Sequence, residues 1–355
     1  MRRLVERLLK IAVGKPKRSP PSPRTSPPAS GKQRERLSDP GQWFDDNAAS
    51  MLGRVDFAPL APPSRKYRVY EPGMLDDDRR LLVVLHGCRQ SADDISIGTR
   101  LNDHADERGW PVLYPEQNKS ANKWNCWNWF DPANLRGHGE AALVAEMQDT
   151  VQKRHEIAGP AFLAGMSAGG ALASILALRF PERWAAVAIH SGLPYGAADD
   201  PFRAIKVMKD GAENLSAAHT LRVRSPDAPS IPAIILHGSS DDVVDRKNAD
   251  LLVRQFLGWN GYLGKADWET ARLPKVEDEH VATKFGHPYI LRRYSRKGLA
   301  PVHECEVIGM GHAWAGGDSS LPYNDERGPD ASALMVEFFA AVIDKSPASE
   351  RVTVH

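Results

Sequence analysis

Residues 161–172 read Ala-Phe-Leu-Ala-Gly-Met-Ser-Ala-Gly-Gly-Ala-Leu, an apolar run followed by Gly-x-Ser-x-Gly and by small residues at helical spacing. This order predicts a β-strand that ends in a tight turn and leads into a helix. Gly165 and Gly169 are expected where a β-carbon would collide with the neighbouring strand or helix. The turn would hold the hydroxyl of Ser167 at its tip. By itself the pattern also fits a glycine-rich turn with no chemical role, so the remaining motifs decide between the two.

The composition is ordinary for a globular protein, with 42% hydrophobic and 26% charged residues in a chain of 355. This length allows one large α/β domain or two smaller ones. Residues 1–40 hold eleven Lys and Arg against three acidic residues, although the net charge of the whole chain is only +1. The remainder is therefore mildly acidic, which gives no electrostatic reason to expect nucleic-acid binding.

Three regions are predicted along the chain: a basic tail and linker at residues 1–50, a catalytic domain at 51–345 and a short tail at 346–355. Residues 14–40 are rich in Pro, Ser and Arg, and such a segment cannot bury enough apolar surface to offset its ordering entropy. Residues 1–13 have a basic amphipathic pattern whose charges interrupt the apolar core of a secretory signal. An adaptor role for this tail at a membrane surface or on nucleic acid is a separate hypothesis. No integral membrane span is expected.

Beyond residue 53, short apolar runs alternate with helical stretches. Strands are predicted at residues 66–70, 81–85, 110–113, 161–164, 185–189, 233–236 and 305–308. Helices are predicted at residues 100–108, 140–154, 170–180, 245–257 and 331–344. Apolar strands separated by helices indicate a mostly parallel, doubly wound α/β sheet with helices on both faces. A late hairpin is expected at 289–308, and residues 258–288 are expected to form a cap or a long surface loop.

A serine hydroxyl becomes a nucleophile when a base takes its proton and a third group orients that base. The chain order Ser, Asp, His is expected when Gly-x-Ser-x-Gly follows a central strand. Because the carboxyl ends of parallel strands meet at one crevice, the predicted strand ends should converge there. We expect Ser167 to be the nucleophile, His312 the general base and acid, and Asp241 the carboxylate that orients His312.

Other polar residues at strand ends compete for these roles. Asp242 is the rival acid, and its alternative is a cap for the helix that starts near Asp245. His190 and His237 also end predicted strands, and we interpret both as hydrogen-bonded core residues.

The oxyanion of an ester intermediate needs two backbone donors. We expect the N–H groups of Ala168, which follows the nucleophile, and of Cys88, in the loop after an early strand. No Cys-x-x-Cys metal pattern exists, and Cys305 is expected to be a buried apolar residue. The sequence leaves open whether Cys88 and Cys126 form a disulfide.

Aromatic residues cluster at 124–130, where three tryptophans stand among asparagines outside any periodic pattern. Core packing is the usual role of such side chains. We nevertheless interpret Trp127 and Trp129, together with Tyr195 and Trp314, as candidates for the lining of a substrate pocket.

Several motifs together resemble the polyhydroxybutyrate (PHB) depolymerase family of esterases, which is related to type B feruloyl esterases and acetyl xylan esterases. They are His86-Gly87-Cys88-Arg89-Gln90-Ser91-Ala92, Cys126-Trp127-Asn128-Trp129-Phe130, Gly165-Met166-Ser167-Ala168-Gly169-Gly170, His190-Ser191-Gly192-Leu193-Pro194-Tyr195-Gly196, Gly309-Met310-Gly311-His312-Ala313-Trp314-Ala315-Gly316-Gly317 and Gly328-Pro329-Asp330-Ala331-Ser332. The resemblance covers about residues 55–342 and implies an α/β-hydrolase fold. It also implies the same assignments for Ser167, Asp241, His312 and Cys88, and an extracellular protein.

The sequence thus predicts a serine carboxylesterase that acts through an acyl-enzyme, without a metal or organic cofactor. Its expected partner is a small, oligomeric or polymeric ester, with hydroxyalkanoate esters of the polyhydroxybutyrate type first and feruloyl or acetyl-xylan esters as the alternative. A non-catalytic binding protein on a hydrolase scaffold is the alternative from another class. Acyl length, the preferred alcohol, oligomeric state and compartment stay open.

Overall fold

The structure is a computed structural model of the chain. It describes residues 42–49, 64–264, 267–276, 278–282 and 286–344. Most of the tail predicted at residues 1–50 and all of that predicted at 346–355 lie outside the described residues.

A ten-stranded sheet runs through the centre of the described chain. Its strands are β1 (Gln42–Ala49), β2 (Ser64–Glu71), β3 (Leu82–Leu85), β4 (Val112–Pro115), β5 (Ala161–Met166), β6 (Trp184–His190), β7 (Ala233–Gly238), β8 (Asp278–Ala282), β9 (Tyr289–Tyr294) and β10 (Val302–Val307). Their order across the sheet is β1-β2-β4-β3-β5-β6-β7-β10-β9-β8. The strands from β4 to β10 in that order run parallel, and the pairs toward either edge are antiparallel. Strand β5, which leads to Ser167, is therefore central.

Helices cover both faces of this sheet. They are α1 (Ala92–Thr99), α2 (Leu101–Arg108), α3 (Pro132–Leu135), α4 (Gly139–Arg154), α5 (Ala168–Arg179), α6 (Pro201–Asp210), α7 (Ser216–Arg224), α8 (Lys247–Trp259) and α9 (Ala331–Asp344). Helices α1, α2 and α9 bury their apolar sides in one core, and α4 to α8 in the other. Alternate residues of the strands feed these two cores: Leu82 and Phe162 face the first, whereas Val83 and Leu163 face the second. The parallel strands are apolar throughout because both faces are buried.

The described chain contains every strand and helix that the sequence predicted, with ends shifted by a few residues. The late hairpin is also present, since β9 and β10 pair antiparallel. Helices α1, α3, α6 and α7 were not predicted, and β8 lies in the segment expected to be a cap or loop.

Strand β1 lies inside the stretch assigned from the sequence to a tail and linker. It pairs with β2 along its whole length. Trp43 meets the ring of Tyr70 edge-on at 5.2 Å, and the guanidinium of Arg68 lies 4.4 Å from the centre of the Trp43 ring. The neighbouring strand supplies these contacts, so the local composition of residues 42–49 does not reveal them.

The turn between β5 and α5 has the strained geometry expected of it. Ser167 has φ 56° and ψ −119°, a backbone conformation that non-glycine residues rarely adopt. A β-carbon on Gly165 would lie 2.4 Å from the carbonyl oxygen of Gly169, and one on Gly169 would lie 2.3 Å from that of Leu85. Both glycines are therefore required because backbone approaches backbone at these points, as predicted.

The substitution Gly169→Ala tests this packing. Because neither the turn nor β3 can move without disturbing the sheet, we expect a loss of about 1–3 kcal/mol in the free energy of unfolding. Urea denaturation followed by tryptophan fluorescence measures the loss. Gly311→Ala is the matched control, since its β-carbon would meet no atom closer than 4.0 Å. Equal stability of the two variants would contradict the steric argument.

Candidate active site

Ser167, His312 and Asp241 meet at the carboxyl edge of the parallel strands. The Oγ of Ser167 lies 3.0 Å from Nε2 of His312, and Nδ1 of His312 lies 2.7 Å from Oδ2 of Asp241. The three residues follow β5, β10 and β7, whose ends converge on one crevice. A hydroxyl, an imidazole and a carboxylate in this order can pass a proton from the serine to the histidine while the acid holds the ring in one orientation.

Asp241 is held at both of its oxygens. Its Oδ1 accepts the N–H groups of Val243 and Val244 at 3.0 and 2.8 Å, and its Oδ2 faces His312. Burial alone would raise the pKa of this carboxyl. The positive potential and hydrogen bond of His312, helped by His237 and the Val244 N–H, outweigh burial and hold the pKa below its ordinary value. The Nδ1 of His312 is thus taken by Asp241, whereas the sequence left Asp242 as a rival.

His190 and His237 are buried core residues, as interpreted from the sequence. The Nε2 of His190 accepts the N–H of Ala315 at 3.2 Å, and its ring stacks on Trp314 at 5.2 Å. Burial, together with the neighbouring imidazoles, lowers the pKa of His190 to about 3. The Nε2 of His237 donates to the Val244 carbonyl at 2.9 Å, and burial lowers its pKa as well. Burial therefore disfavours the charged form of both rings beside the Ser167–His312–Asp241 group.

His86 is a third buried imidazole, to which the sequence assigned no role. Its Nδ1 donates to the Gly87 carbonyl at 2.8 Å, and its Nε2 accepts the N–H of Gln117 at 3.1 Å. Burial lowers its pKa to about 4. Its place at the end of β3, like that of the other two histidines at the ends of their strands, was the available signal.

The two expected oxyanion donors border the cavities next to Ser167. Ala168 is the first residue of α5, so its N–H has no acceptor within the helix. Cys88 lines both cavities that Ser167 lines. The N–H of Gln90 donates to the Gly87 carbonyl at 3.3 Å, which curls the intervening backbone into a turn.

Cys88 and Cys126 form a disulfide, which answers the question that the sequence left open. The bond joins the loop after β3 to the aromatic segment. Cys305 is a free, buried cysteine, as expected.

One of the four predicted pocket residues, Trp129, lines a cavity at Ser167. This cavity encloses about 20 Å³, and its apolar wall also includes Phe130, Leu193 and Met208. A second cavity of about 10 Å³ reaches His312 and is bordered by Val243 and Tyr323. The sequence did not single out Leu193, Met208, Val243 or Tyr323. Met208 lies on α6, which was not predicted.

The other three pocket candidates do not line these cavities. Trp127 is fully buried against His86, with ring centres 5.3 Å apart. Tyr195 donates from its hydroxyl to the carbonyl of Leu135, and Trp314 donates from its indole to Ser332. Each has a core partner that holds it beneath the site, so core packing describes these three aromatic residues.

Residues 66–279 match the family described as esterase PHB depolymerase. The chain belongs to this family. The match includes Ser167 and Asp241 and ends before His312. This family match confirms the resemblance inferred from the motifs.

Two curated relatives show the range of esters in this group. The chain is 30% identical over 250 residues to poly(3-hydroxyalkanoate) depolymerase C of Paucimonas lemoignei. The aligned region covers 68% of this chain and 56% of that protein. It is 29% identical over 219 residues to feruloyl esterase B of Neurospora crassa. This aligned region covers 57% of this chain and 72% of the relative. The chain thus spans little more than half the length of the depolymerase.

A solved structure similar to this chain is that of acetyl xylan esterase from Aspergillus awamori. It has a TM-score of 0.57 at 18% identity and covers 70% of this chain and 89% of that one. This likeness confirms the α/β-hydrolase fold. The matched family, the two curated relatives and this solved structure are all esterases or depolymerases by description.

In the part of the chain that the structure describes, no three His, Cys, Asp or Glu side chains are grouped so that they could hold a metal ion. Among the same residues, none of the helices has the length and apolar character needed to cross a membrane.

The variant Asp241→Asn tests the electrostatics of the site. Because the pKa of Asp241 is lowered in the folded state, its ionised form stabilises the fold above its ordinary pKa of 3.8, and this contribution is lost as the pH falls below that value. We expect the variant to be less stable than the wild type at about pH 7, with the difference shrinking at about pH 3. Urea unfolding at both pH values measures this.

Asp242→Asn is the matched control, since it keeps the contact between Asp241 and His312. A stability difference between wild type and Asp241→Asn that is the same at both pH values would contradict the assignment.

Proposed function

We propose that this chain hydrolyses short-chain hydroxyalkanoate esters through a covalent acyl-enzyme formed on Ser167. The observation that carries the proposal is the pair of hydrogen bonds that joins Ser167 to His312 and His312 to Asp241 beside an apolar cavity. In the first step Nε2 of His312 takes the hydroxyl proton as Oγ attacks the ester carbonyl. His312 then gives that proton to the departing alcohol.

Water completes the cycle. His312 removes a proton from a water molecule, which attacks the acyl-enzyme, and Ser167 regains its proton as the acid leaves. Asp241 keeps its negative charge throughout and stabilises the protonated imidazole. The lowered pKa of Asp241 supports this role, because the carboxylate stays ionised across the neutral range.

The negative charge that develops on the carbonyl oxygen would be held by the N–H groups of Ala168 and Cys88. A donor at the first turn of α5 also benefits from the positive end of the helix. Loss of one such donor typically lowers the rate by about 10²–10³.

The acyl group is proposed to be short. The cavity bordered by Trp129 and Met208 is narrow and encloses about 20 Å³. This space suits a short acyl chain better than a feruloyl ring. The match to the depolymerase over 68% of this chain supports hydroxyalkanoates.

An acetyl-xylan esterase is the second candidate. The narrow cavity accommodates an acetyl group, and the fold likeness to the Aspergillus awamori enzyme favours this candidate. The proposed roles of Ser167, His312 and Asp241 are the same for both substrates.

Replacement of the proposed nucleophile is the direct test of the mechanism. In Ser167→Ala the rate of p-nitrophenyl butyrate hydrolysis should fall by about 10³-fold or more, because no nucleophile remains at the turn between β5 and α5. Circular dichroism should show an unchanged fold. A fluorophosphonate probe should label the wild type and not the variant. Undiminished turnover would overturn the assignment, and an unlabelled, inactive wild type would favour the non-catalytic binding protein.

A substrate screen separates the two candidates. We expect kcat/KM for hydroxybutyrate oligomers and p-nitrophenyl butyrate to exceed that for methyl ferulate by about tenfold or more, since the narrow cavity excludes the aromatic ring of the ferulate. Acetylated xylan is the comparison that matters. Faster deacetylation of xylan than cleavage of the oligomers would assign the second candidate instead.

A further inference from the structure

Glu140 is a buried carboxylate on α4, outside the group formed by Ser167, His312 and Asp241. It is only 6% exposed. Its Oε2 accepts the backbone N–H of Asn128 at 2.7 Å, and its Oε1 accepts the side-chain amide of Asn128 at 2.8 Å. Oε1 also accepts hydrogen bonds from Gln117 and Arg65. Four donors therefore converge on one carboxylate, and one of them is a cation.

These contacts hold the segment that carries the wall of the apolar cavity, residues 122–130, which we call the wall loop. Asn128 directly precedes Trp129 and Phe130, and both of these line the cavity at Ser167. The amide of Gln117, which donates to Glu140, also donates to the carbonyl of Cys126 at 3.1 Å. Glu140 thus holds the wall loop at Asn128 directly and at Cys126 through Gln117.

The wall loop is in turn tied to residues 86–90, which we call the oxyanion loop. The disulfide joins Cys126 to Cys88, and the N–H of Arg89 donates to the carbonyl of Trp124 at 2.6 Å. The N–H of Gln117 donates to the ring of His86 at 3.1 Å. Displacement of the wall loop therefore pulls on the backbone that carries the Cys88 N–H.

We propose that Glu140 is a positioning residue that fixes the depth of the acyl cavity and the place of the Cys88 N–H together. This inference rests on the proposed function of the Ser167 site. It assigns acyl-chain selectivity to a carboxylate that touches no substrate. Pocket walls and oxyanion donors act only when they are held within about 0.5 Å of the productive geometry.

The chemistry of the contacts explains why a carboxylate is needed. Every partner of Glu140 is a donor, so an amide in its place would direct an NH₂ group at another N–H or N–H₂. Arg65 compensates the charge at 3.3 Å, and the N-terminus of α4 adds its positive end. Buried ion pairs add little net stability compared with apolar packing, so stability alone does not account for this arrangement.

The variant Glu140→Gln is the test, with kinetics on p-nitrophenyl acetate, butyrate and hexanoate. All rates are divided by the concentration of active sites titrated with a fluorophosphonate, which removes the effect of misfolded protein. We expect kcat per active site to fall by about tenfold or more, as one oxyanion donor moves out of place. We also expect the ratio of kcat/KM for acetate to that for hexanoate to change by about threefold or more.

Glu304→Gln is the matched control. Glu304 lies on β10 and is 7% exposed, and it accepts from Arg246, just before α8, at 2.8 Å and from Arg292 on β9 at 3.2 Å. It should lower the melting temperature and leave both the kcat per active site and the acyl-chain ratio within about twofold of wild type.

Asn128→Ala keeps the inference testable if Glu140→Gln does not fold, because it removes one of the four donors and leaves the backbone bond. It should change the acyl-chain ratio in the same direction by a smaller factor. Unchanged kcat and ratio per active site in the variants that fold, with only a lowered melting temperature, would overturn the inference. A wild type that cleaves none of the three esters would instead overturn the proposed function.

Discussion

The structure depends on one close approach, where the backbone of β5 meets the start of α5 and the end of β3. No β-carbon fits at Gly165 or Gly169, and this contact keeps Ser167 in a left-handed conformation that an isolated chain would leave. The strain places the hydroxyl above the sheet edge and exposes the first N–H of α5 beside it. The other parts of the site are arranged around this fixed point.

The surroundings of Ser167 are buried and of low dielectric, and few of the side chains there are charged. His86, His190 and His237 are buried, and burial lowers the pKa of each and so disfavours its charged form. Each of these rings forms a hydrogen bond with a backbone group. Asp241 keeps its charge because backbone N–H groups and imidazoles face it. In such surroundings hydrogen bonds to an ionised group are strong and directional. Glu140 follows the same rule on the other side of the cavity, with donors at both oxygens.

The direction in which the aromatic side chains face could not be predicted from the sequence. The cluster at residues 124–130 was correctly seen as unusual, yet a tryptophan in an irregular segment has no periodicity that tells which way it faces. Trp129 lines the cavity and Trp127, two positions earlier, is buried on His86. Met208 was missed for a related reason, because α6 reaches the site only through the tertiary fold.

The sequence by itself determined the parallel sheet, the strained turn at Ser167 and the chain order of Ser167, Asp241 and His312 at the ends of their strands, since each is encoded by local glycines and apolar runs. It also identified the family. Only the tertiary structure decided that Asp241 rather than Asp242 reaches His312, that Cys88 bonds Cys126, and that Glu140 holds the wall loop. The physical reason is that these choices depend on distances between segments far apart in the chain, which arise only when the strands converge at one edge.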